Sequence, residues 1–118
     1  MNGKDKLASV VLEAHNASAY PYPYIAIMAK SSLDLENGDY VALCEGDNIG
    51  EVAYLARCDA LKSVGCRKRD WALRVYRLDQ DGNFVDPQLL SLRDLTILMQ
   101  DGVREIEYVQ ADGSIRKQ

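Results

Sequence analysis

The chain has 118 residues, 47% of them hydrophobic and 27% charged, with a formal net charge of −4. That length suits a single globular domain over 1–118, able to bury about two-thirds of its unfolded surface without disulfide staples. The acidic balance speaks against general nucleic-acid binding, which needs a net positive footprint, and no run of about eighteen apolar residues offers a transmembrane helix.

The N-terminal stretch "MNGKDKLASVVLEAHNAS" has no long apolar core after its lysines and does not read as a signal peptide. Within it, Leu7, Val10, Val11 and Ala14 recur at helical spacing and predict a helix over about 5–15, although the paired valines also suit a strand. Pro21 and Pro23 lack donors and bias their neighbours to extended geometry, so "AYPYPY" ends it. Tyr20, Tyr22 and Tyr24 alternate with those prolines and would turn to one side of an extended chain, either as an aromatic partner surface or as rings on the core edge. "YIAIMAK" and "DYVALCE" predict two strands, with the turn signal Asn37-Gly38 between them.

"DNIGEVAYLARCDALKSVG" predicts a helix over about 48–64. Ile49, Val52, Ala53, Ala56 and Ala60 share one face, Asn48 and Glu51 form a capping-box pattern, and Gly65 suits a left-handed C-cap. "RDWALRVYRLD" alternates like a half-buried strand and runs into "LDQDGNFVD". An EF-hand register with Gly82 at the sixth position would put Arg77 at the first ligand site and Gln88 at the twelfth, so a hairpin turn is expected and not a calcium loop. From "FVDPQLLSLRDLTILMQDG" we expect a short helical or irregular piece to about Asp94 and a strand from about Leu95 to Met99. Asp-Gly turns at Asp101 and Asp112 then punctuate further strands. The expected fold is α+β: a mainly antiparallel sheet of about five to seven strands with a C-terminal meander, one face covered by the 48–64 helix and the N-terminal one.

Two segments, "LRVYRLD" and "REIEYVQADGSIRK", resemble strands of the WYL ligand-sensing domain, in reversed order and without the Trp-Tyr-Leu signature, so no residue role follows. "SSLDLENGDYVAL" resembles the nucleophile strand of LexA-type self-cleaving repressors, but the serine-to-Gly-Asp spacing is short and no lysine follows at a matching place.

Candidate chemistry is sparse. His15 is the single imidazole and no nucleophile elbow surrounds the nearby serines. Cys44, Cys58 and Cys66 form an odd set without a Cys-x-x-Cys pair, which disfavours a zinc site and fits a reducing cytoplasm. Neither metal nor cofactor is expected. Cys66, beside three cations in "GCRKRDW", is the candidate reactive thiol. Charge is uneven: residues 1–54 carry three Lys/Arg against eight Asp/Glu, residues 57–77 seven against two, and residues 78–118 four against eight. The basic segment supplies a candidate binding surface of Arg67, Lys68, Arg69, Arg74 and Arg77, with Trp71 and Tyr76 for stacking, or else it neutralises the protein's own acidic strands.

The expected function is a small, soluble, non-catalytic binding or regulatory module acting through a protein partner or small ligand. Self-association as a homodimer is expected from an uncovered sheet face or edge. An acidic protein or small anionic ligand is the expected partner of the basic segment, and no membrane is involved. The alternatives are a nucleic-acid-binding accessory protein using residues 57–77 and a compact hydrolase with a carboxylate pair.

Overall fold

The computed structural model describes residues 5–64 and 70–118. In chain order the elements are α1 (Ala8–Ala17), β1 (Tyr24–Ala29), α2 (Ser32–Asn37), β2 (Ala42–Gly46), α3 (Ile49–Val64), β3 (Trp71–Leu78), β4 (Phe84–Val85), α4 (Leu92–Gln100), β5 (Val103–Val109) and β6 (Ile115–Lys117).

The fold is α+β, with a mostly antiparallel, mixed sheet of six strands. Its order is β2-β1-β3-β5-β6, and β4 hairpins back onto the end of β3, with Leu78 opposite Phe84. The turn of that hairpin is held by Asp79, whose Oδ1 accepts from the Asp81 and Asn83 amides at 2.9 Å each. These amides, Asn83 first, pull the Asp79 carboxyl below its ordinary value. The carboxylate that a calcium loop would aim at a metal is turned on its own backbone.

One pairing is parallel. β5 runs beside β3, Leu73 opposite Ile106 and Arg74 opposite Glu107, and a parallel neighbour needs a crossover. That crossover carries α4, so the strand expected over Leu95–Met99 is a helix. A second difference lies at "SSLDLENG", where α2 replaces a plain turn: Ser31 Oγ accepts from the Asp34 amide, and Gly38 at φ 83° ends the helix in the left-handed conformation. Asn37-Gly38 does reverse the chain, as a helix terminus. The 48–64 helix and the N-terminal helix stand where periodicity put them, give or take the ends.

Alternation along the strands makes two cores. Tyr24, Ala26, Met28, Trp71, Leu73, Val75, Ile106 and Tyr108 face α3 and α4, meeting Val52, Ala53, Ala56, Ala60 and Leu98. Ile25, Ile27, Ala29, Ala72, Tyr76, Leu78 and Val109 face the other way, onto Leu7, Val11 and Leu35. The sheet is therefore covered on both faces, which corrects the one-faced sheet expected from sequence. β3 is buried everywhere except Arg77, as a central strand with helices above and below must be. No helix among the described residues is long and apolar enough to cross a membrane.

Candidate functional site

The candidate basic surface does not assemble as one. Cys66, Arg67, Lys68 and Arg69 lie outside the described residues. Trp71 and Tyr76 are fully buried, on opposite faces of β3, so neither offers a ring for a base to stack on. Arg74 is 2% exposed and already paired. Arg77 is exposed, its guanidinium 5.7 Å from the Tyr24 ring. Arg57 Nε approaches Asp101 Oδ2 at 3.2 Å, an ionic contact without hydrogen-bond alignment.

The three tyrosines also part company. Tyr20 and Tyr22 stack edge to face with centroids 4.7 Å apart, whereas Tyr24 opens β1 and is buried toward α3. There is no common aromatic face.

What surrounds Arg74 is an ionic cluster. Its Nε donates to Glu107 Oε1 at 2.9 Å, and one terminal nitrogen lies 2.8 Å from the same oxygen while the other donates to Asp5 Oδ1 at 2.9 Å. The Tyr76 hydroxyl donates to Asp5 Oδ2, Ser32 Oγ donates to Glu107 Oε2 at 2.7 Å, and the Leu7 amide donates to Asp5 Oδ1 at 2.9 Å. Burial first, then the adjacent Asp5 carboxylate, pushes the Tyr76 phenol far above its ordinary range. Five side chains and the Leu7 amide, from four separate parts of the chain, satisfy one another here. The cluster ties α1, α2, β3 and β5 together, and its polar atoms are consumed in doing so.

Cys44 and Cys58 are both half-buried, and Cys44 is a poor reagent. Cys44 Sγ donates to Asp59 Oδ2 at 3.2 Å, and burial, that hydrogen bond and the Asp59 charge push its thiol up to about 12. Thiolate chemistry at neutral pH is closed to it.

An unfilled concavity lies elsewhere, between α3 and α4. It holds about 250 Å³ and is lined by Gly50, Glu51, Tyr54, Asp94, Ile97 and Leu98. The two helices approach closely because residue 50 has no side chain: a Cβ placed there would meet the Asp94 carboxyl carbon at 2.9 Å. Asp94 and Glu51 each stand in the first turn of their helix, where the backbone dipole favours negative charge. Tyr54 is 46% and Ile97 38% exposed at the groove, and the Arg57 guanidinium carbon sits 4.8 Å from the Tyr54 ring centroid. The groove is an apolar floor with acidic groups on its helix-start side. None of these six residues was a candidate from sequence, because the strand expected over Leu95–Met99 hid the helix that forms one wall.

Compared with protein-family models, curated proteins and solved structures, the chain matches none.

Proposed function

We propose that the protein is a non-catalytic binding module and that the α3–α4 groove receives a segment of a protein partner, an apolar side chain flanked by lysine or arginine. The observation that carries this reading is the groove itself: exposed Tyr54 and Ile97 over buried Leu98, beside Glu51 and Asp94. At about 250 Å³ it falls below the range of about 300–1,000 Å³ usual for small-molecule sites, and fits one large side chain better than a whole metabolite. Tyrosine and arginine side by side on a rigid helix are the residue types that dominate binding energy at protein interfaces. Two carboxylates at the rim favour a cationic neighbour to the inserted side chain and repel an acidic one.

A random-peptide display library selected against the folded protein tests this. The enriched sequences should pair leucine, methionine or an aromatic residue with lysine or arginine. Tyr54→Ala and Ile97→Lys should each weaken the enriched peptides by about tenfold or more, as hot-spot truncations do, while leaving the fold intact because both positions are exposed. Enrichment of acidic peptides, or of peptides indifferent to both substitutions, would refute the reading.

A further inference from the structure

The segment from Asp5 to Ala17, the arm, is seated on the rest of the molecule by a polar clasp as well as by apolar packing. Beyond Leu7 and Val11, which are fully buried, and His15, which is 5% exposed, it is fixed by one carboxylate, Asp5, placed between the Arg74 guanidinium and the Tyr76 hydroxyl. That seat cannot stand vacant cheaply. Without Asp5, a buried guanidinium nitrogen and a buried phenol would both lose their acceptor. It demands an occupant with a carboxylate and, two and six residues later, apolar side chains. Asp5, Leu7 and Val11 supply that spacing.

The link from arm to sheet is the other half of the argument. Residues 18–23 contain Pro21 and Pro23; Ala19, Tyr20 and Pro21 are exposed, and Ser18, Tyr22 and Pro23 are half-buried. Among the described residues, their hydrogen bonds stay within the link until its end: Ser18 Oγ to the Tyr20 carbonyl at 2.6 Å and the Tyr22 amide to the Tyr20 carbonyl at 2.9 Å. Only at Pro23, whose carbonyl accepts from the Leu78 amide at 2.8 Å, is the chain tied to the sheet. Straightening the link would undo one tight turn and the Tyr20–Tyr22 ring contact. The two prolines favour the extended form that results.

We infer that the arm from Asp5 to Ala17 exchanges between two copies of the chain, Asp5 of each copy seating on Arg74 and Tyr76 of the other. Every contact of the arm is kept in such a dimer and only the link changes, which is what makes segment exchange a low-cost route to a two-fold assembly. Dimer content then follows concentration by mass action. The exchanged pair leaves the α3–α4 groove of each copy open, since arm and groove lie on opposite faces of the sheet.

Complementation provides the test. Asp5→Ala and Arg74→Met proteins are each made, then unfolded together and refolded at high protein concentration, with light scattering and thermal melts read on the mixture and on each variant alone. In an exchanged heterodimer one seat is wholly native and the other has lost both its carboxylate and its guanidinium. The expected result is a species of twice the chain mass that melts above both single variants; if Arg74→Met does not fold alone, it is recovered in folded form only in the mixture. A mixture whose melts superpose those of its two components overturns the inference, as does a wild-type protein that stays monomeric after refolding at millimolar concentration. A wild-type dimer without complementation overturns it too, because the copies would then be joined through another surface.

Discussion

Arg74 is the residue that the sequence most misrepresents. In "WALRVYRL" it sits on the polar side of an alternating strand, which reads as solvent. Its two counter-charges come from 69 residues earlier and 33 residues later, Asp5 and Glu107, and nothing local announces them. With those partners the guanidinium belongs to the core. Arg74→Met should therefore cost about 3–5 kcal/mol in urea unfolding, because buried Glu107 would keep only the distant Lys117 ammonium at 3.9 Å and largely buried Asp5 would lose its cation. A loss within about 0.5 kcal/mol, as for a surface site, would mean that the cluster is not formed in solution. Cys44 carries a prediction of opposite character. With its thiol near 12 it should be the slowest of the described cysteines to react with iodoacetamide at neutral pH, Cys58 preceding it, and Asp59→Asn should speed it. Raising the pH toward 12 should also speed it, and because the folded thiol holds its proton more tightly than an unfolded one, its contribution to stability is present below about 9 and is lost as pH rises from there. Equal labelling of Cys44 and Cys58 across that range would contradict the buried, hydrogen-bonded thiol.

The elements were legible where periodicity was long and hidden where it was short. The run from Ile49 to Ala60 repeats its apolar face over enough turns to be read directly, β1 and β2 are short apolar runs, and β3 alternates. α2 and α4 are shorter, with six and nine residues, and "LTILM" satisfies a strand as well as a helix. Both nevertheless carried a start signal, Ser31 three residues before Asp34 and Ser91 three before Asp94, and in both cases the serine side chain accepts the aspartate amide at 3.1 Å. Weighing that signal above β propensity would have found both helices, and with α4 the groove. The contact between α3 and α4 has its own test in Gly50. In the wild type, Gly50→Ala should destabilise, since the methyl displaces the Asp94 carboxylate. In an Asp94→Ala background the same change should stabilise, by up to about 1 kcal/mol from helix propensity alone. Additivity of the two substitutions within about 0.5 kcal/mol would show that the helices do not meet there.

At the scale of the whole molecule, class and sheet were readable and layering was not. A sheet covered on one face shows polar residues on the other, and Arg74 on β3 and Glu107 on β5 stand on such a face. Pairing Arg74 with Glu107 across the parallel strands removes that polar face from solvent and lets α1 and α2 close over it. With both sheet faces occupied, the concavity that gathers exposed apolar side chains beside carboxylates lies between helices, and the binding reading rests there on α3 and α4. Amide chemical-shift mapping with two short synthetic peptides tests it most directly, one presenting leucine between lysines and the other leucine between glutamates. The account predicts that the lysine peptide shifts amides from Gly50 to Arg57 and from Asp94 to Leu98, more strongly at low salt, while the glutamate peptide leaves them in place. No shift at millimolar lysine peptide, or shifts centred on α1, α2 or the β2 edge, would contradict it.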